Sequence, residues 1–79
     1  MAALILEKRV KKFISFLPPK PQKQIAKALL SLTNNSLPHN AKQLTGYNPY
    51  IRIAVGEYRI IYKVDKTNDH IYVVLINKC

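Results

Sequence analysis

Acidic residues are scarce in this chain. Four Asp and Glu stand against thirteen Lys and Arg in 79 residues, a net charge of +9 at pH 7. That balance favours a polyanionic partner such as RNA, DNA or an acidic protein. Cysteine is scarcer still: Cys79, at the last position, is the single thiol. One thiol cannot close an internal disulfide, which excludes a secreted disulfide scaffold and points to a reducing compartment, the cytoplasm. His39 and His70 are the only other strong metal ligands, and their spacing forms no binding motif, so neither a metal site nor a cofactor is expected. Long apolar runs are lacking too. Ala2 to Leu6 precedes its charges and is too short for the apolar region of a signal peptide. Nothing approaches the roughly 18 apolar residues of a membrane span. The length leaves no room for a second core, so residues 1–79 are read as a single domain.

The charge that is present is uneven. Residues 1–42 carry eight basic groups against Glu7 alone, a net of +7, whereas residues 43–79 carry five against three, a net of +2. Ala2 to Leu6 reads as a short strand. From Lys8 the period changes: Val10, Phe13, Ile14 and Leu17 recur at helical spacing, with Lys8, Lys11 and Lys12 off that stripe. The pattern predicts a helix ending at Pro18-Pro19, because a residue before proline resists the α conformation. A second helix is predicted over Pro21 to Leu32, with Ile25, Ala28, Leu29 and Leu32 as its apolar stripe. The short link between them makes an αα-hairpin. Thr33 to Asn48 reads as loop. Tyr50 to Val55, Tyr58 to Val64 and Ile71 to Ile76 are rich in β-branched and aromatic residues and read as strands. The order is β-α-α-β-β-β, an α+β domain.

Gly56-Glu57 suits a two-residue type II′ turn, and such a turn fixes the register of the hairpin around it. Val55 then faces Tyr58, Ala54 faces Arg59 and Arg52 faces Ile61. Opposed residues share a face and alternate residues change face. One face carries Ile51, Ile53, Val55, Tyr58, Ile60 and Tyr62 and is assigned to the core. The other carries Arg52, Ala54, Arg59 and Ile61, with the two arginines on a diagonal. They read either as ordinary solvent-facing strand residues or as a forked site for a phosphate; no acidic residue stands beside them on this face of the hairpin.

The segment Tyr50-Ile51-Arg52-Ile53-Ala54-Val55-Gly56-Glu57-Tyr58-Arg59-Ile60-Ile61-Tyr62 resembles the signature hairpin of the RelE/ParE toxin superfamily. Leu17-Pro18 at the end of the first helix and Lys42-Gln43-Leu44-Thr45-Gly46 in the loop extend the resemblance over nearly the whole chain. It implies a RelE-like fold, a twisted antiparallel sheet with the αα-hairpin packed on it. It also implies the toxin of a type II toxin–antitoxin pair, whose partners are a cognate antitoxin, the ribosome and mRNA. RelE-like members cut mRNA on the ribosome without a metal; ParE-like members inhibit DNA gyrase and cut nothing themselves. The expected activity is ribosome-dependent mRNA cleavage, the alternative a non-enzymatic gyrase inhibitor or a decayed toxin that retains antitoxin binding.

By resemblance, Arg59 matches the catalytic arginine and Arg52 the first basic residue of the preceding strand. Lys42, Lys78 and Lys12 are the further candidates for binding RNA phosphates. Two departures argue for a weak site: Ala54 stands where a second basic residue is common, and Asn77-Lys78-Cys79 ends the chain where an arginine and then a tyrosine are common. Arginine is effectively never deprotonated, so the proton-transfer groups are left unassigned. His39 and His70 read as surface residues. Tyr47, Tyr50 and Tyr72 could stack on bases, whereas Tyr58 and Tyr62 read as packing.

Overall fold

The structure, a computed structural model, describes residues 2–46 and 49–78. A short strand, β1 (Ala3–Leu6), leads into α1 (Lys8–Ser15) and α2 (Pro19–Asn34); β2 (Lys42–Gln43), β3 (Ile51–Val55), β4 (Tyr58–Asp65) and β5 (His70–Lys78) follow. The five strands form one sheet in the order β1-β5-β4-β3-β2.

Three expectations need adjustment. The second helix begins at Pro19 rather than Pro21 and runs on to Asn34. Pro18-Pro19 therefore starts a helix more than it separates two, because a first-turn residue has no intrahelical N–H bond for proline to forfeit. The Gln22 side chain then donates to the Ile14 carbonyl at 2.9 Å, satisfying an acceptor at the end of α1. Within the expected loop, Lys42 and Gln43 pair with Arg52 and Ile51 as a two-residue edge strand. Finally, the sheet is mixed: β1 runs parallel to β5, with Leu4 opposite Ile71 and Leu6 opposite Val73, while the other pairs are antiparallel. An unbroken apolar run such as Ala3–Leu6 gives no sign of direction.

The β3–β4 register is the one the turn dictates, Val55 against Tyr58 and Arg52 against Ile61. Gly56 takes φ +59, as the first central position of a II′ turn requires. One face of the sheet carries both helices. Val10, Ile25, Leu29 and Leu32 from the helices close on Ile53, Ile60, Tyr62, Ile71, Val73 and Ile76 from the strands. Phe13 packs edge-on against Tyr58, centroids 6.0 Å apart, at the margin of this core. Burying this apolar surface is the main stabilising term. The helices leave the opposite face of the sheet uncovered, and the arginines are on that face.

Between Ile61 and Tyr62 the β4–β5 register slips: Ile61 faces Leu75 but Tyr62 faces Val73. Val74 is the extra residue of a bulge, which bends the strand and turns its carbonyl outward. The Arg9 Nε–H donates to that carbonyl at 2.7 Å and also lies 3.2 Å from Glu7. The start of α1 is thereby tied to the middle of β5.

Candidate functional site: a cationic groove on the uncovered sheet face

Three neighbouring strands supply the site. Arg52 lies in β3, Arg59 diagonally across in β4, and Lys42 directly opposite Arg52 in β2. Directly opposed residues share a face, so all three cations project from the uncovered side. With Asn40 and Ala54 they line an open groove of about 280 Å³. None of the described residues lining it is acidic. Diagonal strand positions are about 7–8 Å apart at the backbone, within the combined reach of two arginine side chains around one phosphate. Guanidinium forks match phosphate oxygens in pairs, and the Lys42 ammonium adds a compact third charge.

Arg52, Arg59 and Lys42 thus come together as candidates. Lys78 and Lys12 do not join them. Lys78 is opposed to Tyr58, a residue of the helix-covered side, so its register turns it from the arginine face, and its ammonium pairs with Glu57 at 3.5 Å. Asn77, not Lys78, faces Arg59 across β4 and β5. Lys12 lies on α1 beside a separate groove lined by Glu7, Lys8 and Arg9. Asn40 is the lining residue that sequence reasoning passed over. Its only signal is its position two residues before Lys42, the spacing that keeps an extended chain on one face.

The aromatic residues divide by face. Tyr62 is fully buried among the core residues, its hydroxyl satisfied by the Ser36 carbonyl, and burial pushes its pKa up to about 12. Tyr50 and Tyr72 lie on the uncovered side, with the Lys63 ammonium 6.0 Å and 5.4 Å from their ring centroids. His70 is half-buried, its ring edge-on to Tyr72 and its Nδ1 3.3 Å from the Tyr72 hydroxyl. His39 is exposed. At the β4–β5 turn, hydrogen bonds from the side chain and backbone of Asn68 hold the Asp65 carboxyl below the usual carboxylate range. Tyr47 and Cys79 lie outside the described residues. Among those described, no three His, Cys, Asp or Glu side chains could hold a metal ion, and no helix is long and apolar enough to cross a membrane.

Solved structures of the same shape include RelE toxins and RelE–RelB complexes. The chain superposes on the isolated RelE toxin of E. coli with a TM-score of 0.87 at 21% identity, covering 100% of this chain and 85% of that one. The archaeal RelE–RelB complex from Pyrococcus horikoshii OT3 gives 0.86 at 21% identity, covering 98% and 93%. The RelB–RelE complex from Methanococcus jannaschii gives 0.77 at 27% identity, covering 94% and 88%. Comparison with curated protein sequences gave no match. Residues 6–79 match the model of one family, the ParE toxin of the type II toxin–antitoxin system parDE. With nearly the whole chain inside that match, on the fold and hairpin described above, this protein belongs to the ParE toxin family of type II toxin–antitoxin systems.

Proposed function

We propose that this chain is the toxin of a RelBE-type pair and cleaves mRNA on the ribosome, with Arg59 and Arg52 holding the scissile phosphate. The observation that carries this reading is the convergence of Arg52, Arg59 and Lys42 on one groove, with no acidic side chain among the described residues that line it. In the reaction the ribose 2′-oxygen forms a bond to the adjacent phosphorus and the bond to the 5′-oxygen breaks. Negative charge builds on the phosphoryl oxygens in between, and fixed cations lower that barrier. Arg59 serves as the main clamp and Arg52 as the second. Arginine does not give up its proton, so among the described residues lining the groove the one other cation is the Lys42 ammonium. It is our candidate for donating a proton to the departing 5′-oxygen. None of the described residues lining the groove is a base for the 2′-hydroxyl proton, which we assign to solvent or a ribosomal group.

The partner proposed is an antitoxin of acidic character, as RelB is the partner in the RelE complexes of the same shape. A surface of net charge +9 speeds that encounter.

A second reading follows from Ala54, which lies exposed in the groove between the cations, and from the match to the ParE description. In it the chain acts without cutting RNA and inhibits DNA gyrase. One experiment separates the two. The chain is induced, mRNA 5′ ends are mapped, and gyrase supercoiling is assayed in parallel. New 5′ ends within translated codons support cleavage. Their absence together with lost supercoiling would replace it with the second reading.

A further inference from the structure

Next to the cationic groove on the same sheet face lies a second one, of about 340 Å³ and different chemistry. Leu44, Tyr50, Ile61, Val74 and Leu75 form its apolar walls. The relation between the two is fixed by the strands. Tyr50 precedes Arg52 by two residues in sequence, Ile61 follows Arg59 by two on β4, and Leu44 follows Lys42 by two. A two-residue step keeps the same face and advances roughly 6.6–6.8 Å. Each of the three cations therefore has an apolar neighbour one step along, always in the same direction. A ribose spans about that step between a phosphate and its base.

We propose that this second groove is a nucleobase subsite, which takes the base of a single-stranded RNA nucleotide whose phosphate lies on Arg52 and Arg59. The inference rests on the phosphate reading above and names which form of RNA that site accepts. Ring faces and aliphatic side chains accept any flat base, so the subsite selects for an unpaired base over a particular letter. A base inserted here cannot stay paired. The Lys63 ammonium, seated between Tyr50 and Tyr72, restrains the Tyr50 ring at the groove wall. At the outer rim stand Glu7 and Arg9, already joined to each other at 3.2 Å. That rim sets a carboxylate beside its one guanidinium, whereas the opposite end gathers three cations, Arg52, Arg59 and Lys42, with no acidic side chain among its described lining residues. Charge therefore sets the orientation, phosphate toward Arg52 and base toward Tyr50.

The test uses probes that cannot be cleaved. Affinities of the purified chain are measured for inorganic phosphate, abasic deoxyribose 3′,5′-bisphosphate and 2′-deoxyadenosine 3′,5′-bisphosphate. The base should raise affinity about ten- to a hundredfold over the abasic probe, the increment of stacking one base. A single-stranded 2′-O-methyl oligonucleotide should likewise outbind its duplex. Tyr50→Ala and, in the loop, Leu44→Ala should each shrink the base increment while abasic bisphosphate still binds, which also reports that the fold survives. Equal affinity for the two bisphosphates would overturn the subsite and leave the phosphate groove standing. Binding of none of the phosphates would overturn the phosphate groove and the subsite together. Loss of antitoxin binding in both variants, with the base increment intact, would assign the groove to protein contact and overturn the proposal.

Discussion

The Tyr62 hydroxyl donates a 2.7 Å hydrogen bond to the Ser36 carbonyl, joining the centre of the core to the segment between α2 and β2. Tyr62→Phe removes the donor and leaves that carbonyl to find another partner, at a cost of about 1–3 kcal/mol. Urea unfolding of the two proteins measures it. Burial of the same side chain gives an alkaline signature. The folded pKa is raised from 10.0 to about 12, so the stabilisation from keeping the phenol neutral is complete below pH 10. It falls by up to about 1.4 kcal/mol per pH unit as the pH rises toward 12. The phenylalanine variant should lose this part of the alkaline slope.

Replacing Gly56 by alanine should loosen the arginine hairpin without touching the core. Its φ of +59 suits glycine, and an added Cβ would meet only the Gln24 side-chain oxygen at an ordinary 3.6 Å. The penalty is therefore conformational, about 1–2 kcal/mol. A lower Tm with unchanged far-ultraviolet circular dichroism is the expected result.

Arg59→Ala should separate stability from activity. Arg59 is exposed on the sheet face opposite the core, and such substitutions change stability by about 0.5 kcal/mol or less. Losing the main charge-stabilising donor should lower cleavage by about 10²–10³. Induction of a folded variant that still arrests growth as strongly as the parent would remove Arg59 from the proposed role.

Ala54→Lys is the converse experiment. Ala54 is exposed and lines the cationic groove, so a lysine there adds a cation without displacing packed atoms. Ribosome-dependent cleavage should rise, and phosphate binding should tighten and grow more dependent on salt. An unchanged rate would mean that Arg52, Arg59 and Lys42 already saturate the site.

The hairpin was legible because two independent signals agreed: Gly56-Glu57 set the turn, and period-two alternation then placed each side chain on its face. The roles of Arg52 and Arg59 came only with the family resemblance, whereas their shared face followed from that register. Lys78 did not, because its face depends on how β5 aligns with β4, and the bulge at Val74 shifts that alignment by one residue. The joining of Lys42 to the site hung on an edge strand of two residues, too short to leave a period. Asn40 was hidden for the same reason. The helices showed the reverse pattern. Their apolar stripes were plain, while the start of α2 was misplaced because Pro18-Pro19 can either end one helix or begin the next.

The parallel pairing of β1 with β5 has a kinetic consequence. β1 finds its strand partner at the far end of the chain, so this part of the sheet cannot close until β5 exists. The β3–β4 hairpin and the αα-hairpin are local and can form early, whereas docking β1 must bring distant segments together, the kind of contact that slows folding. The closing of this seam also brings the Glu7 N–H to the Val73 carbonyl and the Arg9 guanidinium to the Val74 carbonyl. The rim of the apolar groove, where Glu7 and Arg9 stand, is therefore completed last, after the β3–β4 hairpin has already set Arg52 and Arg59 on one face.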